Sequence, residues 1–128
     1  MLGKILLHNL KVTCIVGIHP GERQLTQNLW LDVTLVTVFS DSVASENIED
    51  TISYSDVADC LEQWVMDKKF QLIETLAVEG CHLLFSKFAG IKSCKILVRK
   101  PAAVPHADYA GVEVELNNPN FSTASAAE

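Results

Sequence analysis

The clearest strand of this chain is residues 28–38, which read NLWLDVTLVTV. The side chains on one side of this stretch are aliphatic: Leu29, Leu31, Val33 and Leu35. Because side chains alternate between the two faces of a strand, this pattern predicts one face packed against a core. The other side also carries apolar residues, namely Trp30, Val36 and Val38. The predicted sheet therefore needs cover on both faces.

Three further strands are predicted on either side of that stretch, at residues 4–16, 92–100 and 110–116. Each has apolar residues at alternate positions over most of its length. Pro101 ends the strand before it, because proline cannot donate a hydrogen bond to a neighbouring strand. These strands and residues 28–38 predict a four-stranded sheet.

Two helices are predicted between the second and third strands. Residues 39–52 are polar and acidic and predict a long loop. Ser53 and Asp56 then fit the capping box that opens a helix. A second helix is predicted from about Leu72, and Gly90 lies just past its end.

The element order is therefore ββααββ, which predicts an α+β fold with one domain over residues 1–116 and a disordered tail over residues 117–128. Two helices can cover one face of a four-stranded antiparallel sheet, but they leave the second face and both edges open. A ring of copies joined edge to edge into a β-barrel would cover them, so we predict self-assembly.

Length and charge exclude several classes of function. The chain has 128 residues and a formal net charge of −6, so we expect no binding to a nucleic-acid phosphate backbone. No apolar run reaches about 18 residues, and the N-terminus has no signal-peptide core. We therefore expect no membrane segment and a cytoplasmic protein.

The cysteines and histidines show no metal-binding pattern. The four cysteines and four histidines lack the short spacings of zinc sites, although ligands distant in sequence could still meet in the fold. Each cysteine lies in an apolar stretch, which predicts buried free thiols in a reducing compartment. We expect neither a metal nor a cofactor.

Four polar residues stand out by position. Lys100 ends a predicted strand in line with apolar positions, where it could act as a general base or simply extend to solvent. Glu74 lies in the first turn of the second helix, where it could bind the paired N–H donors of a flat ligand or only complement the helix dipole. Tyr54 follows the long loop, and Glu22 follows the Pro20-Gly21 turn. Each also fits an ordinary structural role.

In combination, these residues lie in segments that resemble the dihydroneopterin aldolase family over about residues 5–116. The segments are Ile15–Ile18 with Glu22, Arg23 and Gln27; Leu31–Val33; Asp50–Val57; Phe70–Ala77; and Val98–Pro101 with Gly111 and Val112. The resemblance implies a T-fold subunit that forms a homo-tetramer or homo-octamer, with active sites between adjacent subunits.

The reaction implied by the resemblance is a retro-aldol cleavage in folate biosynthesis. It converts 7,8-dihydroneopterin into 6-hydroxymethyl-7,8-dihydropterin and glycolaldehyde, with neither a metal nor a Schiff base to the enzyme. By this likeness, Glu74 holds the pyrimidine edge of the pterin, helped by backbone near Ile73 and Thr51.

The catalytic residues implied by the same likeness are Glu22, Tyr54 and Lys100. Glu22 contacts the hydroxylated side chain of the substrate, and Lys100 is the acid–base residue. Tyr54 comes from the neighbouring chain and delivers a proton, directly or through water.

Two other functions stay open. An epimerase of dihydroneopterin triphosphate would share the fold and the bond cleavage, but it would need several cations at the pocket mouth. The candidate segments offer Arg23, Arg99 and Lys100. The other alternative is a ring-forming scaffold without activity. His106 and Asp108 receive no role from the sequence.

Overall fold

The computed structural model describes residues 1–121, in which one four-stranded antiparallel sheet carries two long helices. The strands are β1 (Leu2–Cys14), β2 (Gln27–Val38), β3 (Ile91–Lys100) and β4 (Ala110–Asn117), and they lie side by side in that order. The helices are a short α1 (Ser40–Ser45) and the two long helices α2 (Tyr54–Lys68) and α3 (Ile73–Lys87). The predicted ββααββ order of the main elements is confirmed.

The core lies between the aliphatic face of the sheet and the two long helices. Leu29, Leu31 and Leu35 of β2 are all buried, as their alternation predicted. They pack in one cluster with an apolar stripe from the helices: Val57, Leu61, Val65, Leu76, Ala77, Cys81 and Leu84. Burying an aliphatic side chain stabilises a fold by roughly 1.5–3 kcal/mol, so this layer holds the helices on the sheet.

Strand β1 contains a bulge that the sequence reading missed. Leu7 pairs with Val33 and Leu10 with Leu31, so β1 has one residue more than β2 between these pairs. Asn9 takes up the extra length with φ of 58°. The inward-facing apolar positions of β1 change from odd numbers before the bulge to even numbers after it, and this change of parity is the signal that was available in the sequence.

The prediction of a long loop over residues 39–52 was wrong in its local structure. This segment contains α1 and a 3-10 turn at Ile48–Asp50. The Asn47 side chain accepts a hydrogen bond from the Glu49 N–H at 2.9 Å and so caps the turn. These short elements have no buried residues. They therefore lack the apolar periodicity by which a helix is recognised.

The predicted starts of the two long helices are confirmed to within one residue. The Ser53 hydroxyl accepts a hydrogen bond from the Asp56 N–H at 3.3 Å, as a capping box requires. The second long helix begins at Ile73, with Leu72 as its N-cap. In residues 1–121 no helix has the length and apolar character needed to cross a membrane.

The structure describes residues 117–121, the first part of the predicted tail. Asn117 is the last residue of β4, and Asn118 donates hydrogen bonds to the main-chain oxygens of Ile91 and Lys92, each at 2.8 Å. Asn118 is thus held against the start of β3, and the Phe121 N–H donates back to the Asn118 main-chain oxygen at 3.2 Å. The rest of the predicted tail, residues 122–128, lies outside the described residues.

Candidate active site

Three distant parts of the chain meet at the end of the sheet where β3 finishes. They are the loop between β1 and β2, the start of α3, and the end of β3 with the residues that follow it. Together they enclose a cavity of about 720 Å³, which is the size of a small-molecule pocket. Its lining includes Glu22, Ile73, Glu74 and Lys100. The fold therefore brings together four of the six residues predicted for the site.

An ion pair joins two of these residues. The Lys100 Nζ donates to Glu22 Oε2 at 2.6 Å, and the Gln27 Nε2 donates to the same oxygen at 3.1 Å. The lysine hydrogen bond, followed by that of Gln27, lowers the pKa of Glu22 from 4.5 to about 2. Glu22 is therefore a stable carboxylate, and it holds the Lys100 ammonium at the cavity wall.

Gly17 makes room for this carboxylate. Its φ is +121°, a backbone conformation that residues other than glycine rarely adopt. A Cβ added at Gly17 would overlap the Glu22 carboxyl group. Only glycine at this position lets the Glu22 side chain fold back across the loop towards Lys100.

The start of α3 offers a different kind of recognition. Glu74 is an exposed carboxylate in the first turn of this helix, where main-chain N–H groups have no partner within the helix. Leu72 and Ile73 line the cavity beside it. A carboxylate next to free N–H groups suits a flat heterocycle whose edge presents both N–H donors and a carbonyl acceptor.

Thr51 and Tyr54, the other two predicted residues, are not part of this cavity. Thr51 lines a separate pocket that includes Gly90, at the start of β3, whereas Lys100 is at its end. β3 has 10 residues, and at roughly 3.3 Å per residue its ends lie roughly 30 Å apart. Tyr54 follows closely after Thr51, and 62% of its surface is exposed. One chain alone does not unite all six predicted residues.

Two of the three cations considered for a phosphorylated ligand are turned away from the cavity. Arg23 donates from Nη1 to the main-chain oxygens of Gly17 and Phe70, at 3.2 and 3.3 Å. Arg99 lies on the opposite face of the sheet, where it pairs with Asp32 at 3.0 Å. Of the three, Lys100 alone lines the cavity.

The structure gives His106 and Asp108 no part in this cavity. Both are exposed in the loop between β3 and β4, and Asp108 lines a groove beside Arg99 on the other face of the sheet. The sequence reading also assigned no role to Gly17 and Gln27, although it quoted both within the resembling segments. What they do depends on side chains and backbone that meet only in the fold.

The predicted buried thiols are largely confirmed. Cys14, Cys81 and Cys94 are buried, Cys60 is partly exposed, and all four are free. Within residues 1–121, no group of three or more His, Cys, Asp and Glu side chains is arranged to hold a metal ion.

Comparison with known proteins supports one family. The family model for dihydroneopterin aldolase matches residues 5–116. A dihydroneopterin aldolase of Streptococcus pyogenes is 31% identical over 89% of this chain and 98% of its own length. The folic acid synthesis protein FOL1 of Dictyostelium discoideum is also 31% identical, over 99% of this chain, but the match spans only 19% of that longer protein.

A solved structure gives the same result for the fold. The Escherichia coli dihydroneopterin aldolase in complex with neopterin superposes with a TM-score of 0.85 at 27% identity. The match covers 90% of this chain and 99% of that one. The similarity thus extends over most of the fold.

Replacing Glu22 should change how stability depends on pH. The folded pKa of about 2 is below the ordinary value of 4.5, so the ionised carboxylate stabilises the fold above pH 4.5. This contribution is lost as the pH falls towards 2. We expect Glu22→Gln to be less stable than the parent in urea at about pH 6, and the difference to shrink at about pH 2.5.

Glu62→Gln removes the same charge from an exposed position of α2 and serves as the control. All proteins are compared at equal concentration, because assembly alters apparent stability. An equal stability difference for Glu22→Gln at both pH values would contradict the role of the ion pair.

Proposed function

This chain belongs to the dihydroneopterin aldolase family, and we propose that the cavity containing Glu22, Glu74 and Lys100 is where it performs the family's reaction. Its activity is the aldolase cleavage of dihydroneopterin, a lyase step in folate synthesis. One observation carries the assignment to this cavity: the carboxylate of Glu74 and the amine of Lys100 line the same space.

The pterin ring binds at the start of α3. The pyrimidine edge of a pterin carries an amino group and a ring N–H beside a carbonyl. The N–H donors match the Glu74 carboxylate, and the carbonyl matches main-chain N–H groups in the first turn. This orientation directs the hydroxylated side chain of the substrate towards Glu22 and Lys100. The neopterin complex of the Escherichia coli relative supports a pterin ligand.

The reaction transfers a proton from the 2′-hydroxyl of the side chain to the adjacent carbon. Glu22 accepts a hydrogen bond from the substrate hydroxyls, and Lys100 relays the 2′-hydroxyl proton through a water molecule, giving up one proton as it receives another. The C1′–C2′ bond then breaks and releases glycolaldehyde, and its electron pair passes to C1′ and the conjugated ring. Protonation of C1′, assisted by Tyr54, completes 6-hydroxymethyl-7,8-dihydropterin without net oxidation or reduction.

The substrate itself supplies the electron sink. The N5=C6 imine of 7,8-dihydroneopterin is conjugated with the ring and accepts the electron pair released by bond cleavage. A Schiff base between the enzyme and the substrate would duplicate that group. We therefore assign Lys100 to proton transfer, and we propose a mechanism that uses neither a Schiff base to the enzyme nor a metal.

A neighbouring chain completes the site with Thr51 and Tyr54. The roughly 30 Å between the ends of β3 keeps these residues from the cavity of their own chain. The mouth of the cavity carries exposed apolar side chains, with Ile18 59% and Leu25 71% exposed, as expected of a surface covered by another subunit. The two edge strands, β1 and β4, are available for joining copies into a tetrameric or octameric ring.

The unphosphorylated substrate fits the charges of the cavity better than its triphosphate. In the proposed binding mode, Glu22 and Glu74 place a carboxylate at each end of the substrate. Arg23 and Arg99 bind groups outside the cavity. A triphosphate would meet only Lys100 among the three cations proposed from the sequence. No observation favours the epimerase or the inactive scaffold.

Incubation with 7,8-dihydroneopterin and, separately, with its triphosphate tests this function. We expect glycolaldehyde and 6-hydroxymethyl-7,8-dihydropterin from the unphosphorylated compound, identified by chromatography and pterin fluorescence. The triphosphate should react much more slowly because the cavity lacks cations to hold it. Preferential turnover of the triphosphate to its epimer would overturn the assignment, and inactivity towards both would favour the scaffold.

Lys100→Ala tests the proton-transfer role. In single-turnover experiments we expect the chemical step to slow by about 100-fold or more, while binding of 6-hydroxymethylpterin changes little. Lys95→Ala is a matched control, because Lys95 lies on the same strand but pairs with Glu113 at 3.3 Å, outside the cavity. Full chemical activity in Lys100→Ala, or an equal loss in Lys95→Ala, would refute the role.

Mixing two inactive variants tests the shared site. Tyr54→Ala and Lys100→Ala each damage a different half of the site, so each homo-oligomer should have low activity. Co-refolded mixtures should regain activity, because some sites then combine an intact Tyr54 from one chain with an intact Lys100 from another. Mixtures no more active than the separate variants would show that both residues act within one chain.

A further inference from the structure

We propose that Arg23 is a positioning residue that holds the two halves of the active site at a fixed separation. This inference rests on the proposed function, since it concerns the distance between the pterin-binding end of the cavity and its proton-transfer end. Arg23 follows Glu22 directly in the chain, and its side chain is partly buried. Within residues 1–121, Arg23 forms no hydrogen bond with Glu74 or Lys100.

Arg23 joins two loops through one nitrogen. Its Nη1 donates to the main-chain oxygen of Gly17 at 3.2 Å and to that of Phe70 at 3.3 Å. The Phe70 oxygen also accepts the Gly17 N–H at 3.0 Å. The loop after β1 and the loop before α3 are therefore tied directly by one hydrogen bond and a second time through the guanidinium.

Each loop carries one half of the site. Gly17 leaves the space that the Glu22 carboxyl group occupies, and Glu22 in turn pairs with Lys100. Phe70 precedes the first residue of α3, Ile73, by three positions, and Glu74 follows immediately. Arg23 thus connects the loop that carries Glu22 to the segment that leads into α3 and Glu74.

A charged donor suits this bridge. Hydrogen bonds from an ionised donor are stronger than neutral ones. Leaving the Gly17 main-chain oxygen without the Arg23 donor is costly, whereas the Phe70 oxygen keeps the Gly17 N–H. The pterin ring is fixed by Glu74, while its side chain must reach the Glu22–Lys100 pair. Any slippage between the two loops moves the reacting bond relative to Lys100, and a misplacement of about 1 Å can slow a reaction by about 100-fold.

Arg23→Met tests the bridge, because methionine keeps much of the aliphatic packing and removes both hydrogen bonds. We expect kcat to fall about tenfold or more, whereas the Kd for 6-hydroxymethylpterin stays within about threefold because the Glu74 contacts are kept. Arg23→Lys keeps a charged donor and should recover part of kcat. If Arg23 only stabilised the fold, Arg23→Met would instead reduce the fraction of folded protein and leave kcat per folded site unchanged.

Asn118→Ala is the matched control. It also removes a side-chain bond to a main-chain oxygen, that of Ile91 at 2.8 Å, but at the other end of the sheet. It should lower thermal stability without the selective loss of kcat. Unchanged kcat in Arg23→Met, or an equal kcat loss in Asn118→Ala, would overturn the inference. If the parent protein does not cleave dihydroneopterin, the proposed function fails first, which separates the two outcomes.

Discussion

The packing of β3 against β2 under the two helices is the constraint on which the rest of the structure depends. Val98 pairs with Leu31 on one side and with Val112 on the other, and its side chain is buried in the core. In a strand, a shift of register by one residue moves every side chain to the other face. Burial of Val98 therefore places Lys100, two residues later, on the helix-covered side where the cavity forms.

The same alternation separates two neighbouring cations. Arg99 falls on the uncovered face, where Asp32 and the bulge residue Asn9 hold it. Lys100 falls on the covered face and meets Glu22. Both side chains are mostly buried, with 20% of Arg99 and 14% of Lys100 exposed. One cation thus stabilises the sheet while the other is kept at the cavity wall, and this division follows from strand geometry alone.

Much of the fold was open to prediction because its signals are local. Three of these signals involve only residues close together in the chain. They are the period-two pattern of β2, the capping box at Ser53 and the proline after Lys100. The short helix α1 and the bulge at Asn9 were missed for a shared reason. Each depends on main-chain hydrogen bonds and polar contacts at a few residues. Helix α1 has no buried side chains to mark it, and in β1 the change from odd to even inward-facing positions is obscured by Leu2 and Leu6.

The sequence by itself determined the order of the elements and the aliphatic face of the sheet. It also placed Glu22, Glu74 and Lys100 in segments that resemble the family. Only the tertiary structure decided that these residues share one cavity, and that Arg23 and Arg99 face away from it. It also decided that Gln27 donates to Glu22 and that Gly17 leaves room for the Glu22 carboxyl group. Elements form from neighbouring residues, whereas a site forms from residues tens of positions apart. Their meeting is fixed by long-range packing, and no local pattern encodes the distances between them.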